Sequence, residues 1–251
     1  MRKIYVLPVL VGLLTAVAAG PLAAQGAVPK QKAAPRAAAA GAAPAGAGAP
    51  AAGATSTAAA ETPAGEDKAA KAIDGFRSAK FGMNEADVRA AMAKDFNAKP
   101  DAIKIQDNAS ELTRSLLLSV PELLPNGGTA ELSYVFGYKS KSLIQVGAVW
   151  SKGTDTAMTP EKLFSNANIL RAHFMGEGFK PDSIAVNMPV AGGIVMFRGS
   201  DAKDRSVILL LQGTFENKEN NQRVLTPTSL LLFYVADAKS PDVFKLPPGQ
   251  F

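Results

Sequence analysis

The sequence predicts an α+β fold in which a helix followed by about four antiparallel strands occurs twice, with both helices on one face of the sheet. The stretch FNAKPDAIKI, from Phe96, nearly repeats as GFKPDSIAV, from Gly178. Each of these stretches follows a helical pattern of apolar residues and precedes segments that are typical of strands. We therefore predict a globular region over residues 73–251, made of tandem repeats at 73–152 and 153–251.

The chain begins with the three-part pattern of a secretory signal peptide. Arg2 and Lys3 precede an almost wholly apolar run, Ile4–Ala19, and small residues around Ala24 follow it. The run is short for a membrane span, which takes about 20 residues. We expect residues 1–26 to be a cleaved signal that places the protein in the periplasm. An uncleaved signal anchor is the alternative, and only that form would contact the membrane.

Residues 27–72 form a low-complexity segment rich in alanine, proline and glycine. A segment with almost no large apolar side chain cannot bury enough surface to offset its conformational entropy. Prolines such as Pro35, Pro44 and Pro50 also interrupt the helix that alanine favours. We predict a disordered linker, which serves either as a tether or spacer or as a bare solvated tail.

Apolar residues at helical spacing predict the two helices. Asn84 is a favourable N-cap for the first helix, and Thr159 followed by Pro160 is one for the second. Gly176 and Gly178 should end the second helix. The faces expected to be buried consist of Val88, Ala91, Met92 and Phe96 in the first helix and of Leu163, Ala167, Leu170 and Phe174 in the second.

Strand patterns follow each helix. In the first repeat we predict strands at Ala102–Gln106, Leu112–Val120, Ala130–Tyr138 and Leu143–Trp150. In the second repeat we predict them at Ile184–Asn187, Ile194–Arg198, Ser206–Phe215 and Ser229–Ala236. The segment Ala130–Tyr138 alternates with a period of two, and the short turn KSKS joins it to the next strand. A longer loop, ENKENNQRVLTP, joins the last two strands of the second repeat.

The two KPD stretches are predicted to be equivalent corners between helix and sheet. Pro100 and Pro181 fix the backbone there and keep the preceding lysines out of a helix, so each should lead into the first strand of its repeat. Aspartate at such a turn can bond nearby backbone amides. We expect Ile103 and Ile184 to face the core from the same side of the sheet.

No catalytic, metal-binding or cofactor-binding residue is predicted. The chain has no cysteine, which excludes disulfides, thiol nucleophiles, cysteine-ligated zinc, iron–sulfur clusters and lipidation at a signal-peptide cysteine. His173 is the only histidine, so a surface or partly packed helical position is expected for it. Asp101 and Asp182 fit turns better than a glycosidase carboxylate pair. The pairs Gly127–Gly128 and Gly192–Gly193 lack the spacing of a phosphate loop.

Charge and aromatic residues give little sign of a ligand. The chain has 27 basic and 22 acidic residues, but beyond Ala72 both signs are mixed along the sequence. A nucleic-acid-binding domain usually concentrates its basic residues on one face, so we expect no nucleic-acid partner. Tyr134 and Phe136 are expected in the core, and only Tyr138 of that aromatic column is a candidate for exposure.

The stretch FGMNEADVRAAM resembles the helix opening of the SmpA/OmlA (BamE-like) family at Gly82, Met83, Asn84 and Val88. The resemblance implies a small periplasmic α+β domain bound to envelope proteins or to peptidoglycan-associated machinery. The tandem layout is similar to that of β-lactamase inhibitory proteins, which duplicate a helix-plus-four-strand unit and bind enzymes with the sheet. Two features depart from the BamE-like pattern, because those proteins are usually lipoproteins and because KDFNAKP replaces their glycine-proline after the helix.

Together these features predict an exported, non-enzymatic protein of the periplasm that binds another envelope protein through its sheet or its hairpin loops, as an envelope-assembly accessory factor. The alternative is a cell-wall or lipid-directed enzyme or a small-ligand carrier. A deep pocket with converging carboxylates of shifted pKa would favour the alternative. A flat or gently concave sheet would favour the binding protein.

Overall fold

The structure is a computed structural model, and it describes residues 72–217, 223–246 and 249. The predicted signal, residues 1–26, and the predicted linker, apart from Ala72, lie outside these residues. The elements in chain order are β1 Gly75–Phe76, β2 Ala79–Lys80, α1 Glu85–Phe96, β3 Lys104–Asn108, β4 Thr113–Val120, β5 Ala130–Phe136, β6 Leu143–Ser151, α2 Pro160–Met175, β7 Ala185–Val190, β8 Gly193–Ser200, β9 Ser206–Asn217 and β10 Arg223–Val235.

One large antiparallel sheet and two helices make this an α+β fold, as the sequence predicts. Among the described residues the sheet has eight strands in the order β3-β4-β5-β6-β10-β9-β8-β7, and β1 and β2 form a separate small ribbon. The last strand of the first half, β6, pairs with the last strand of the second half, β10. The edges of the sheet are therefore β3 and β7, the first strand after each helix.

Both helices begin at the predicted caps. The Asn84 side chain accepts a hydrogen bond from the Asp87 N–H at 3.0 Å, and the Thr159 hydroxyl accepts one from the Lys162 N–H at 3.2 Å. Satisfying these otherwise unpaired amides stabilises the first turn of each helix. The predicted inner faces are confirmed, with Phe96 half-buried against the core and the other predicted residues buried.

Each KPD stretch forms the corner between its helix and the strand that follows. A single 3-10 turn at Pro100–Ala102 leads into β3, and another at Pro181–Ser183 leads into β7. Backbone hydrogen bonds hold the turns, since the Ile103 N–H donates to Pro100 O and the Ile184 N–H to Pro181 O, both at 3.3 Å. The expected aspartate contribution is not seen, because neither aspartate side chain bonds an amide among the described residues.

The two corner isoleucines, which were expected to face the core from the same side, differ in burial. Ile103 is 9% exposed, whereas Ile184 is 40% exposed. The reason is the placement of α2, which packs on β8, β9 and β10 and leaves the entrance to the edge strand β7 uncovered. The core on that side begins two residues later, where Val186 packs against it.

The hairpin between β9 and β10 is longer than predicted. The sequence predicts a loop through ENKENNQRVLTP, but Arg223–Pro227 pairs with the end of β9, and Pro227 lies opposite Gly213. A register shift follows between Pro227 and Ser229, which is how a strand accommodates a residue that lacks an N–H donor. The KSKS turn between β5 and β6 is confirmed as a short connection.

The main core lies between the sheet and the two helices. Trp150, Tyr134 and Phe197 are fully buried in it, and Phe136 is nearly so. The Phe197 ring stacks on Phe174 of α2 with ring centres 5.5 Å apart. Tyr134 and Phe136 are thus core residues as predicted. Tyr138 is half-buried, and its ring meets the edge of the Phe244 ring.

Candidate functional site

The polar residues that the sequence singles out are not brought together. His173 is exposed on α2, where Nε2 lies 3.6 Å from the Glu177 carboxylate. Asp101 and Asp182 are exposed on separate corners. Within the described parts of the chain, no group of three histidine, cysteine, aspartate or glutamate residues is arranged to hold a metal ion.

Polar atoms in the core also form no reactive set. The Tyr134 hydroxyl and the Trp150 indole N–H are buried without a hydrogen-bond partner among the described residues. Burial raises the pKa of the Tyr134 hydroxyl, which therefore stays protonated at neutral pH. Without an adjacent base it has no means of becoming a nucleophile.

An ionic cluster lies at the turn between β8 and β9. The buried Asp201 carboxylate accepts hydrogen bonds from the Ile73 N–H at 3.0 Å and from Arg205 Nε at 2.7 Å. Burial raises the pKa of Asp201, but these hydrogen bonds outweigh the effect and leave the pKa below its ordinary value. Asp201 thus holds the backbone of Ile73 beside this turn.

The side of the sheet opposite the helices is the most distinctive surface of the protein. Side chains alternate between the two faces along a strand. In β9, Leu209 and Leu211 belong to the main core, so Ile208 and Leu210 point to the opposite side. There they form a second apolar cluster, which consists of Val149, Val195, Ile208, Leu210, Leu231, Phe233 and Val235.

We call this side the helix-free face and define it by three rows of paired residues. The rows are Ser119-Glu131-Val149-Leu231-Leu210-Val195-Met188, Lys104-Leu117-Ser133-Gly147-Phe233-Ile208-Arg198-Ala185 and Gln106-Ser115-Val135-Gln145-Val235-Ser206-Ser200. Three residues in these rows carry a charge, namely Lys104 on the edge strand β3, Glu131 and Arg198. A solvated face of an antiparallel sheet is normally lined with polar residues. The predominance of uncharged and apolar residues in these rows is instead typical of a sheet face that packs against another surface.

The two halves contribute unequally to the helix-free face. Serines, a glycine and a glutamine dominate the part that comes from β4, β5 and β6, and aliphatic residues dominate the part from β7 to β10. The two parts meet at Gly147, where a Cβ atom would stand 2.7 Å from the Ser133 hydroxyl and 3.3 Å from the Phe233 ring. Because Gly147 has no side chain, Phe233 packs closely beside its backbone.

A groove on the opposite side of the sheet is the second candidate. Its volume is about 810 Å³, and it lies between the first turns of α2 and the β9–β10 hairpin. Phe164, Ile194 and Leu225 line it, with Glu161 and Arg223 as its charged residues. A hydrogen bond from its own backbone N–H, and then one from the Thr159 hydroxyl, lowers the pKa of Glu161. A general acid needs a raised pKa, so this carboxylate is unsuited to that role.

Comparison with known proteins identifies no relative, since no family model, no curated protein and no solved structure matches the chain. The resemblances to BamE-like domains and to β-lactamase inhibitory proteins therefore stay predictions. Within residues 72–217 and 223–246, no helix has the length and apolar character of a membrane span.

The helix-free face was not predicted as a specific surface, since the binding role was assigned to the sheet or the hairpin loops in general. A signal for it was nevertheless present in the runs VILLL, from Val207, and LLLFYV, from Leu230. Apolar residues at every position of a strand indicate that both of its faces are covered. The groove had no comparable signal, because its lining comes from α2 and from strands that are distant from it in the sequence.

Proposed function

We propose that this chain is an exported, non-enzymatic protein of the cell envelope that binds another envelope protein through its helix-free face. The observation that carries the proposal is the near absence of charge on that face, together with the cluster centred on Phe233 and Leu210. Protein interfaces are depleted of charge at their centre and enriched in aromatic residues. The amino-terminal pattern of residues 1–26 supports export to the periplasm.

The size of the face agrees with a protein partner. Eight strands at a spacing of about 4.8 Å, each contributing about six residues of about 3.3 Å, give a surface of roughly 750 Å². A standard interface buries about 800 Å² on each partner. The aliphatic part alone covers about half of that area, so we expect the partner to contact the serine-rich part as well.

Site-specific photocrosslinking in cells tests the proposal. A photoreactive amino acid is placed at Ser119 and at Gln212, which lie on the helix-free side in different halves of the sheet, and at Ala90 as a control on the exposed side of α1. We expect the same discrete protein adduct from Ser119 and Gln212 and none from Ala90. No adduct from either sheet position, or the same adduct from Ala90, would refute the proposal.

We also propose that residues 73–152 and 153–251 are two copies of one structural unit. The support is the shared order of helix, 3-10 turn and four strands, and the mirrored strand order about the β6–β10 pair. Superposing Asn84–Trp150 on Thr159–Ala236 should bring the helices and most strands into register. If the helices then run in unrelated directions, the likeness of the two corners is coincidental.

A small-ligand carrier is the second candidate, favoured by the groove beside α2. The apolar lining around Phe164 and the open space of about 810 Å³ are of the kind that accepts an aliphatic molecule. Titration with a fluorescent fatty acid tests it. For a carrier we expect saturable binding that Phe164→Asp weakens about tenfold, which corresponds to about 1.4 kcal/mol. The control Ala172→Asp, on the exposed side of α2, should leave the affinity unchanged. Absence of binding, or equal affinities of the two variants, would exclude the carrier.

A further inference from the structure

The segment that follows β10 is held against the KSKS turn by contacts that a separate peptide could also make. We call residues 236–246 the strap. Its Asp242 carboxylate accepts hydrogen bonds from the Lys139 N–H at 3.0 Å and from the Ser140 N–H at 2.8 Å. The Tyr138 N–H donates to the backbone oxygen of Asp242 at 2.8 Å. Three successive amides, at positions 138–140, therefore bind one aspartate.

The turn is shaped to receive a carboxylate. Gly137 has no side chain, and a Cβ atom there would collide with Asp242 Oδ2. Burial raises the pKa of Asp242, but hydrogen bonds from Ser140 and Lys139 outweigh the effect and leave the pKa below its ordinary value. Successive backbone amides in a turn form a concave site that favours an anion. The group bound at neutral pH is therefore the ionised carboxylate.

An aromatic residue two positions later completes the contact. The Phe244 ring meets the Tyr138 ring edge-on, with ring centres 5.5 Å apart. The Phe244 N–H donates to Glu111 O at 2.9 Å. Capture of a carboxylate by backbone amides, an aromatic anchor and a main-chain hydrogen bond are the contacts from which peptide-recognition sites are built.

The strap presents these two side chains without regular secondary structure. The Val243 N–H donates to Pro241 O at 2.9 Å, so a single tight turn places Asp242 at its tip. Proline restricts the backbone where this turn begins. A short segment with the sequence Pro-Asp-x-Phe can therefore adopt the same turn outside this chain.

Two lysines give the turn a positive charge. Lys139 and Lys141 are both exposed. The charge of Lys139 acts on Asp242, and Lys141 Nζ lies 5.3 Å from the centre of the Tyr138 ring. Positive charge around a binding site attracts acidic segments and raises their association rate. The site is thus complementary to an acidic residue that is followed by an aromatic one.

The attachment of the strap favours another protein over a second copy as the source of such a segment. The Ala236 N–H donates to Ile144 O at 2.9 Å, which fixes the start of the strap at the end of β10. From Ala236 to Asp242 an extended chain spans at most about 20 Å. Two copies that exchanged straps would have to bring their KSKS turns together, where the lysines of both would repel each other.

We propose that the KSKS turn and Tyr138 form a recognition site for a Pro-Asp-x-Phe segment of another protein, and that the strap occupies this site as an intramolecular competitor. The inference goes beyond the proposed function, because the site lies past the rows that define the helix-free face. A tethered competitor has an effective concentration of about 1 mM. If the segment has an intrinsic Kd of about 100 μM, the strap weakens its binding about tenfold.

Fluorescence anisotropy with a labelled peptide of the sequence KSPDVFKL, residues 239–246, tests the site in the full chain. The chain that carries Asp242→Ala and Phe244→Ala, called the strap variant, is compared with the unaltered chain. We expect saturable binding to the strap variant, about tenfold tighter than to the unaltered chain, where the strap competes. The peptide with Asp242→Asn should bind the strap variant about tenfold more weakly, because it lacks the charge.

Substitutions in the turn of the strap variant test which residues recognise the peptide. Gly137→Ala puts a methyl group where the carboxylate lies and should abolish binding. Lys139→Glu should weaken binding about tenfold, because it replaces attraction by repulsion. The matched control Lys152→Glu, at an exposed turn after β6, should leave the affinity unchanged. Circular dichroism and urea unfolding check the fold of each variant.

Four binding results would overturn the inference. They are no saturable binding to the strap variant, equal affinities of the strap variant and the unaltered chain, equal affinities for the two peptides, and equal effects of Lys139→Glu and Lys152→Glu. Loss of the folded circular dichroism spectrum in the strap variant would show that the strap is part of the fold rather than a displaceable competitor. A dimer that the unaltered chain forms and the strap variant does not would also overturn the proposal, because a second copy would then supply the segment.

Discussion

The second KPD corner should depend on a hydroxyl group that the first corner lacks. The Ser183 hydroxyl donates a hydrogen bond to Lys180 O at 2.7 Å and accepts one from the Ser200 N–H at 2.8 Å. It thereby ties the turn to the end of β8. At the first corner the last residue of the 3-10 turn is instead Ala102, which is exposed, and the buried side chain of Ile103 anchors that corner.

Replacing Ser183 with alanine should therefore weaken the protein measurably. Each hydrogen bond contributes a net of about 0.5–1.5 kcal/mol, and the half-buried Ser200 amide would lose its partner. We expect Ser183→Ala to lower the free energy of unfolding by about 1.5 kcal/mol. For a folded region of this size that corresponds to a melting temperature lower by about 3–6 °C.

Urea unfolding, followed by the fluorescence of the buried Trp150 and by circular dichroism, measures the loss. The matched control is Ala102→Ser, which puts the hydroxyl at the first corner, where it should change the free energy of unfolding by less than about 0.5 kcal/mol. A loss below about 0.5 kcal/mol for Ser183→Ala would show that the hydroxyl bridge does not support the second corner. An equal effect of both substitutions would contradict the difference between the corners.

Two further substitutions test the core and the ionic cluster. Phe197→Ala should lower the free energy of unfolding in urea by about 3–5 kcal/mol, because Phe197 is fully buried against Phe174. The control Phe164→Ala, at a 50% exposed position, should lower it by less than about 1 kcal/mol. Similar losses for the two variants would contradict the packing. Hydrogen bonds from two lysines, Lys239 and then Lys180, lower the pKa of Asp204 to about 2, below the unfolded value of about 3.9. The contribution of Asp204 to stability should therefore be present above about pH 4 and lost as the pH falls towards 2. Asp204→Asn should reduce this loss of stability in acid. An unchanged dependence of the free energy of unfolding on pH would exclude the contribution.

Much of the fold could be predicted because its signals are local. The caps at Asn84 and Thr159, the corners at Pro100 and Pro181 and the alternation in β5 each act within a few residues. Local chemistry of this kind decides where a helix begins or a strand turns, largely independently of the rest of the chain. The order of elements in both halves follows from these signals.

The predictions that failed concern features that depend on contacts between distant parts of the chain. Ile184 is exposed because α2 lies over β8, β9 and β10, and the sequence of the corner contains no information about that placement. The extra length of β10 depends on pairing with β9, which accommodates Pro227 opposite Gly213 through a register shift. The groove beside α2 combines Phe164 of that helix with Leu225 of β10, so it could not be predicted from the local pattern around either residue alone.

The contrast between the two sides of the sheet gives the strongest argument about function. Both halves need aliphatic residues on the side that faces the helices, because each must bury its helix against a core. The other side has no such requirement, and in β4 and β5 it carries Ser119, Glu131 and Ser133. Leucine and phenylalanine on that side in β9 and β10 therefore need a separate cause. The contact with a partner proposed above would supply one.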